Sequence, residues 1–361
     1  MDARWLRVVA ALAAFVVATA VGILTLGRFE DTSRIDPVTF ANQVTADSWA
    51  LILTIAMVIA AAVYLGLEKL QTGRLGSLER QFTTRTIALM PIGIALNIVL
   101  GGAVANALKI PIYLDSIGTI LVGVLCGPIA GAFTGALTNV LWSYVIPPPF
   151  QSGAAAAFAI TAVAIGVIAG LAGRAGLLRP RPNTPPRNLL VGGAVTVGLI
   201  VVMSYLAFVG YEKIIGQAAL APSSDNQLLL ILGWVALGLV VATVVGLVAL
   251  LIARRDLTAA YVVGLGVGTG IVAALISAPI AAGVFSGVTG AGTDFLVAAF
   301  RQAGADVQAA TLGQGLISDP IDKVVTFFVV YLILNAMARR TKARFPQGDR
   351  LLENDAGEAY A

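Results

Sequence analysis

The residues able to do chemistry in this chain are few and fall in three places. Tyr113, Asp115 and Thr119 open one apolar run, and Asn139 and Trp142 lie on the next. Far along the chain, Gln314, Ser318, Asp319, Asp322 and Lys323 share one short stretch, with Asp294 in the glycine-rich segment before it. A carboxylate or amide this close to lipid is costly unless it faces protein or water. Acceptors of this kind, with an ammonium group and aromatic rings among apolar walls, are the equipment for holding a small polar solute. Each residue also has a plainer reading. Asp115 serves as an interfacial carboxylate and Asn139 as a bridge between helices. Asp319 and Lys323 are four apart and suit a local ion pair. Asp319-Pro320 reads as the start of a helix, with Asp as N-cap and Pro at the first position. Asp306, far into a loop, is expected to be solvated and silent.

Other chemistries are excluded by what is missing. The chain has no histidine and a single cysteine, so no Ser-His-Asp triad, Cys-His dyad, zinc site or internal disulfide can be built. Cys126, in an apolar run, reads as a packing residue. Gly264, Gly266, Gly268 and Gly270 do not match a dinucleotide fingerprint and read as two overlapping small-residue faces. Gly287 to Gly292 has the spacing of a phosphate loop but is followed by Thr293 and Asp294 with no lysine, so it is not one. No ATPase, enzyme activity, cofactor, metal or nucleic-acid partner is expected.

The elements that must position these residues are membrane helices. The composition is 58% hydrophobic and 12% charged, with mean hydropathy +0.91, whereas soluble domains carry roughly 25% charge. Ten apolar segments are expected: 5–26, 48–67, 86–108, 112–126, 129–146, 153–172, 188–209, 227–253, 257–284 and 319–338. The run 5–26 is too long for a signal-peptide core of about 7–15 residues. Basic residues collect in 68–85, in the proline-rich 173–187 linker, at Arg254 and Arg255, and in the tail after 338. The positive-inside rule then places both termini in the cytoplasm of a plasma-membrane protein, and puts Asp115, Asp294 and the 314–323 cluster at one outer face. The fourth segment is short: 112–126 would rise about 22 Å against a hydrocarbon core of roughly 30 Å. A tilted, partly buried or re-entrant helix is expected there.

A stripe on the third segment, Gly93, Asn97, Gly101 and Ala105, repeats every four residues and so lies on one helix face. Small residues there permit close approach of another helix, either from within the chain or from a docked membrane subunit.

The run from Pro111 through Tyr113, Asp115 and Thr119, then Gly127-Pro128, then Gly135 to Asn139, resembles the substrate-binding S components of energy-coupling factor (ECF) transporters. The 318–323 stretch opening the last helix, before a basic tail, is similar as well. The resemblance covers 86–172 and 257–344. It implies an all-α membrane protein with a six-helix S-component-like core and a substrate site near its outer side. It also implies docking of a transmembrane T component on the small-residue face, powered by partner ABC-type ATPase subunits. The chain divides accordingly into 1–85 with two leading helices, 86–172 with core helices one to four, 173–256 with the basic linker and two inserted helices, 257–344 with core helices five and six, and a polar tail, 345–361. The expected function is uptake of a small, water-soluble, vitamin-like compound. Two alternatives are an ion-coupled secondary transporter using Asp115, Asp294 or Asp322, and a membrane sensor or assembly partner. With carboxylates in excess of Lys323, the site should favour a neutral or cationic solute over a polyanion.

Overall fold

The structure is a computed structural model that describes residues 3–26, 40–104, 112–148, 150–190, 192–194, 196–198, 201 and 227–352. Most of the expected seventh segment and Ala105 of the stripe lie outside these residues. Every regular element among them is helical. The principal helices are α1 (Ala3–Leu26), α2 (Phe40–Thr72), α3 (Gly76–Gln81), α4 (Thr84–Ala103), α5 (Ile117–Cys126), α6 (Pro128–Tyr144), α7 (Ala159–Arg174), α8 (Gln227–Ile252), α9 (Thr258–Phe285), α10 (Asp294–Gln302) and α11 (Val307–Ala336). Ten crossings were expected. Among the described residues, five helical spans are long and apolar enough by length and composition: 6–25, 51–72, 84–103, 155–174 and 258–285. Much of α1 and of the outer side of α8 is exposed apolar surface, such as Leu12, Val16, Ile231 and Val245, which in a membrane-embedded protein faces lipid.

The centre of the fold is α5. All ten of its residues are buried, and at about 15 Å it is too short to cross a bilayer. A helix buried on every side must be apolar all round, and IGTILVGVLC is. It ends at Gly127, whose φ of 120° belongs to the region glycine reaches without steric cost. Pro128 then starts α6, where its missing N–H costs nothing. The break leaves orphan carbonyls on α5 and orphan amides on α6, and two distant glutamines meet them. The Gln347 side chain donates to the carbonyls of Gly123 (3.0 Å), Val124 (3.2 Å) and Gly170 (3.1 Å), and its backbone N–H donates to Leu125 O (2.9 Å). The Gln81 carbonyl accepts from the amides of Ile129 (2.9 Å) and Ala130 (3.4 Å). Here an uncharged turn is sealed by protein rather than solvated.

Small residues set the other close contacts. A Cβ at Gly266 or Gly270 would fall 2.5 Å from Val324 Cα or 2.4 Å from Pro320 Cα, whereas Gly264 and Gly268 face open space. One of the two expected faces on α9 therefore carries α11, and the other is outward. The stripe on α4 is likewise filled from within the chain. Gly93 lies against the Gly118 backbone, and a Cβ on Gly101 would meet the Trp142 ring at 2.5 Å. Asn97 is fully buried, donating to Thr119 Oγ1 (2.9 Å) and Thr138 Oγ1 (3.2 Å) and accepting from Gly118 N–H (2.7 Å). Gly93, Asn97 and Gly101 thus present no free face to a docked partner; their space is taken by α5 and α6.

Two further expectations change. Asp306 does not lie far into a loop, since α10 and the first turns of α11 occupy much of 285–318. Asp319 does not cap a helix: α11 starts at Val307, and its N-cap is Asp306, whose carboxylate accepts from Ala309 N–H at 2.7 Å. The basic 173–187 linker is pinned by contacts of its own. Asp256, buried behind it, accepts from Arg181 N–H (3.0 Å), Thr258 N–H (2.8 Å) and Tyr331 OH (3.1 Å), while the Arg181 guanidinium sits 4.4 Å over the Tyr261 ring.

Candidate functional site

At the N-terminal end of α5 the helices part around a cavity of about 160 Å³. Its walls come from the C-terminal ends of α4, α6 and α9, the start of α7, the 112–116 segment, the 287–297 turn and the middle of α11. Tyr113, Asp115, Asn139, Trp142, Asp294, Gln314, Asp319 and Lys323 all line it. Thr119 and Asp322 do not. Thr119 lies behind the wall as the hydroxyl that Asn97 reaches, and Asp322 is fully buried beneath the 112–116 segment.

Asp322 is the anchor of that segment. Its Oδ1 accepts from the backbone N–H of Tyr113 (3.1 Å) and of Leu114 (2.7 Å), and Oδ2 accepts from the Lys323 ammonium. Two successive amides can turn to one oxygen because Leu114 takes φ 53°. Such a conformation costs a non-glycine residue about 1–3 kcal/mol, and charge-assisted hydrogen bonds from two amides offset it. Lys323 also donates to Ser116 Oγ (2.9 Å) and lies 3.7 Å from Asp115 Oδ1. The expected partner was Asp319 one turn back; the structure pairs Lys323 with Asp322 and Asp115 instead, because the 112–116 segment packs over that side of α11.

Asp319 is thereby left facing the cavity. It is 5% exposed, and its Oδ1 accepts from Ser318 Oγ at 3.2 Å. Beside it Gln314 donates to Ser318 Oγ (2.6 Å) and Tyr113 OH (3.1 Å), and Tyr113 OH lies 2.8 Å from Thr293 Oγ1. Elsewhere in the lining, on α6, the Trp142 indole donates to Phe150 O, and Asn139 donates to Gly135 O at 3.2 Å.

Asp294 has a different role. Its carboxylate accepts from Thr289 N–H (2.9 Å), Thr289 Oγ1 (2.9 Å) and Gly290 N–H (2.7 Å). The glycine turn thus turns its amides on a carboxylate of its own chain. Burial raises the Asp294 carboxyl above the usual range, opposed by those donors. Arg301, donating to Ala305 O at the surface, takes no part in the cavity.

The sequence reading missed the contribution of α7 and α9. Thr161 and Phe158 line the cavity from the α7 side, and Ser277 from α9. Lone hydroxyls on apolar helices usually bond to their own preceding turn, so nothing in the sequence singled them out. Thr161 breaks that habit: it is 7% exposed and its Oγ1 has no hydrogen-bond partner. Compared with known proteins, the chain matches no family model, no curated protein and no solved structure.

Proposed function

We propose that this chain is a membrane-embedded solute-binding protein that takes up a small, water-soluble, vitamin-like compound in the manner of an ECF S component, driven by partner T and ATPase subunits. The observation that supports this reading is the cavity. It is enclosed by apolar helices, bears a buried carboxylate with accepting capacity to spare, and draws its polar groups from distant parts of the chain. That is the usual construction of a small-molecule site. The positive-inside bias puts its mouth on the outer side of the plasma membrane, with both termini cytoplasmic.

The test has two parts. Native mass spectrometry of the gently extracted protein is expected to reveal a co-purified small molecule that is lost on exchange into ligand-free detergent. Proteoliposomes holding the purified chain alone are expected to bind that molecule without accumulating it, with or without an ion gradient. Gradient-driven accumulation by the chain alone would instead make it a secondary transporter. No bound molecule under any extraction would remove the solute-site reading.

A further inference from the structure

Resting on the solute-site reading above, we infer that the solute carries a cationic ammonium group, which docks on Asp319 in the cavity that Thr161 also lines. The argument is a balance of donors and acceptors. Among the described residues lining the cavity, Lys323 is the one cation, and its ammonium is already engaged by Asp322, Asp115 and Ser116. The side-chain donors of Gln314 and Trp142 are likewise spent on protein partners, and Asn139 has given one of its two N–H groups to Gly135 O.

What remains open is mostly acceptors, against one N–H of Asn139 and the Thr161 hydroxyl, which can donate or accept. Asp319 Oδ2 and the side-chain carbonyl oxygens of Gln314 and Asn139 receive no hydrogen bond among the described residues, although each of these side chains is more than nine-tenths buried. Thr161 Oγ1 is buried with no partner at all, which is uncommon for a hydroxyl in a folded protein. A guest that only accepts hydrogen bonds, such as a carboxylate or phosphate, would meet the open oxygens of Asp319, Gln314 and Asn139 with repulsion. An ammonium group brings several N–H donors and a positive charge, and so answers both the open acceptors and the surplus of carboxylates. The rings of Tyr113, Trp142 and Phe158 supply apolar and cation-attracting surface for the rest of the molecule.

Three probes with one body and different ends test this: tyramine (ammonium), tyrosol (hydroxyl) and 4-hydroxyphenylacetate (carboxylate). Thermal unfolding of the detergent-purified, ligand-stripped protein is read against concentration of each. Tyramine should raise Tm, and the other two should do so far less. Asp319→Asn should weaken tyramine roughly ten- to hundred-fold, the range for a hydrogen bond to a charged group. Thr161→Val, which leaves every charge in place, should weaken it several-fold and serves if the Asp319 variant does not fold. Asp306→Asn, where Asn still caps the helix, should leave the response unchanged. Equal or better protection by tyrosol or 4-hydroxyphenylacetate would overturn the ammonium while leaving a solute site standing. Protection by sodium over potassium chloride without a tyramine effect would overturn it in favour of an inorganic cation. An undiminished tyramine response in both cavity variants would remove the ammonium from Asp319. No protection by any probe would overturn this inference, and only the additional absence of a co-purified molecule would take the solute site with it.

Discussion

Asp319 and Asp322 are three residues apart on one helix, yet they do opposite things. Asp322 is buried in bonds to two backbone amides and to Lys323, and Asp319 faces the cavity with one oxygen to spare. Replacing Asp322 with Asn keeps the shape but removes the charge that Lys323 and the 113–114 turn depend on. Breaking one side of a buried ion pair costs about 3–5 kcal/mol, so Asp322→Asn should lower Tm sharply in detergent. Asp319→Asn removes only a hydroxyl-bonded carboxylate and should lower it little. Equal losses in both variants would mean that the two aspartates share one structural role.

At the scale of elements, α5 and the α4 stripe carry the expectations. Leucine at Gly101 would collide with the Trp142 ring and Asp115 Cβ, which lie 2.5 and 2.9 Å from an added Cβ. Gly101→Leu should therefore lose monodisperse yield and solute binding together. Normal yield with loss of a co-purifying membrane subunit would instead show that the stripe is a docking face. At the other end of α5, Gln347→Ala removes the donors that meet three carbonyls. Gly123 O keeps its bond from Gly127 N–H, whereas Val124 O, four residues before Pro128, has no helical donor to replace it. A buried acceptor left unmet costs about 1–3 kcal/mol, so Tm should fall by a few degrees while tyramine affinity, read at the far end of α5, stays unchanged.

For the whole molecule, the cavity and the glutamine-sealed break lie at opposite ends of α5, and the basic clusters follow the sealed end. The orientation proposed from those clusters is checked with single cysteines on a Cys126→Ala background, since Cys126 is itself buried. Val288→Cys, exposed beside the cavity turn, should react with an impermeant maleimide in intact cells. Arg187→Cys, exposed on the basic linker, should react only after permeabilisation. Reversed labelling would turn the cavity mouth toward the cytoplasm and end the reading as an uptake protein.

The sequence alone determined the class and much of the parts list. A chain this apolar with so few charges has to sit among lipids, Gly127-Pro128 has to interrupt a helix, and the absence of histidine removes whole families of chemistry. Polar residues stood out because lipid leaves them conspicuous, and most of those singled out line one cavity. The tertiary structure decided which way each one points. Helical periodicity assigns residues to a face but does not say what lies opposite it. The partner of Lys323 depends on the 112–116 segment, two hundred residues away in sequence. The start of α11 was hidden because Asp306 and Asp319-Pro320 both carry capping signals, and packing against α9 carries the helix straight through the proline. The α4 stripe faces inward because α5, too short to span, has to be enclosed. Thr161 became visible only when α7 was set in place, since an ordinary threonine on an apolar helix differs from a site residue in nothing but the bond it fails to make.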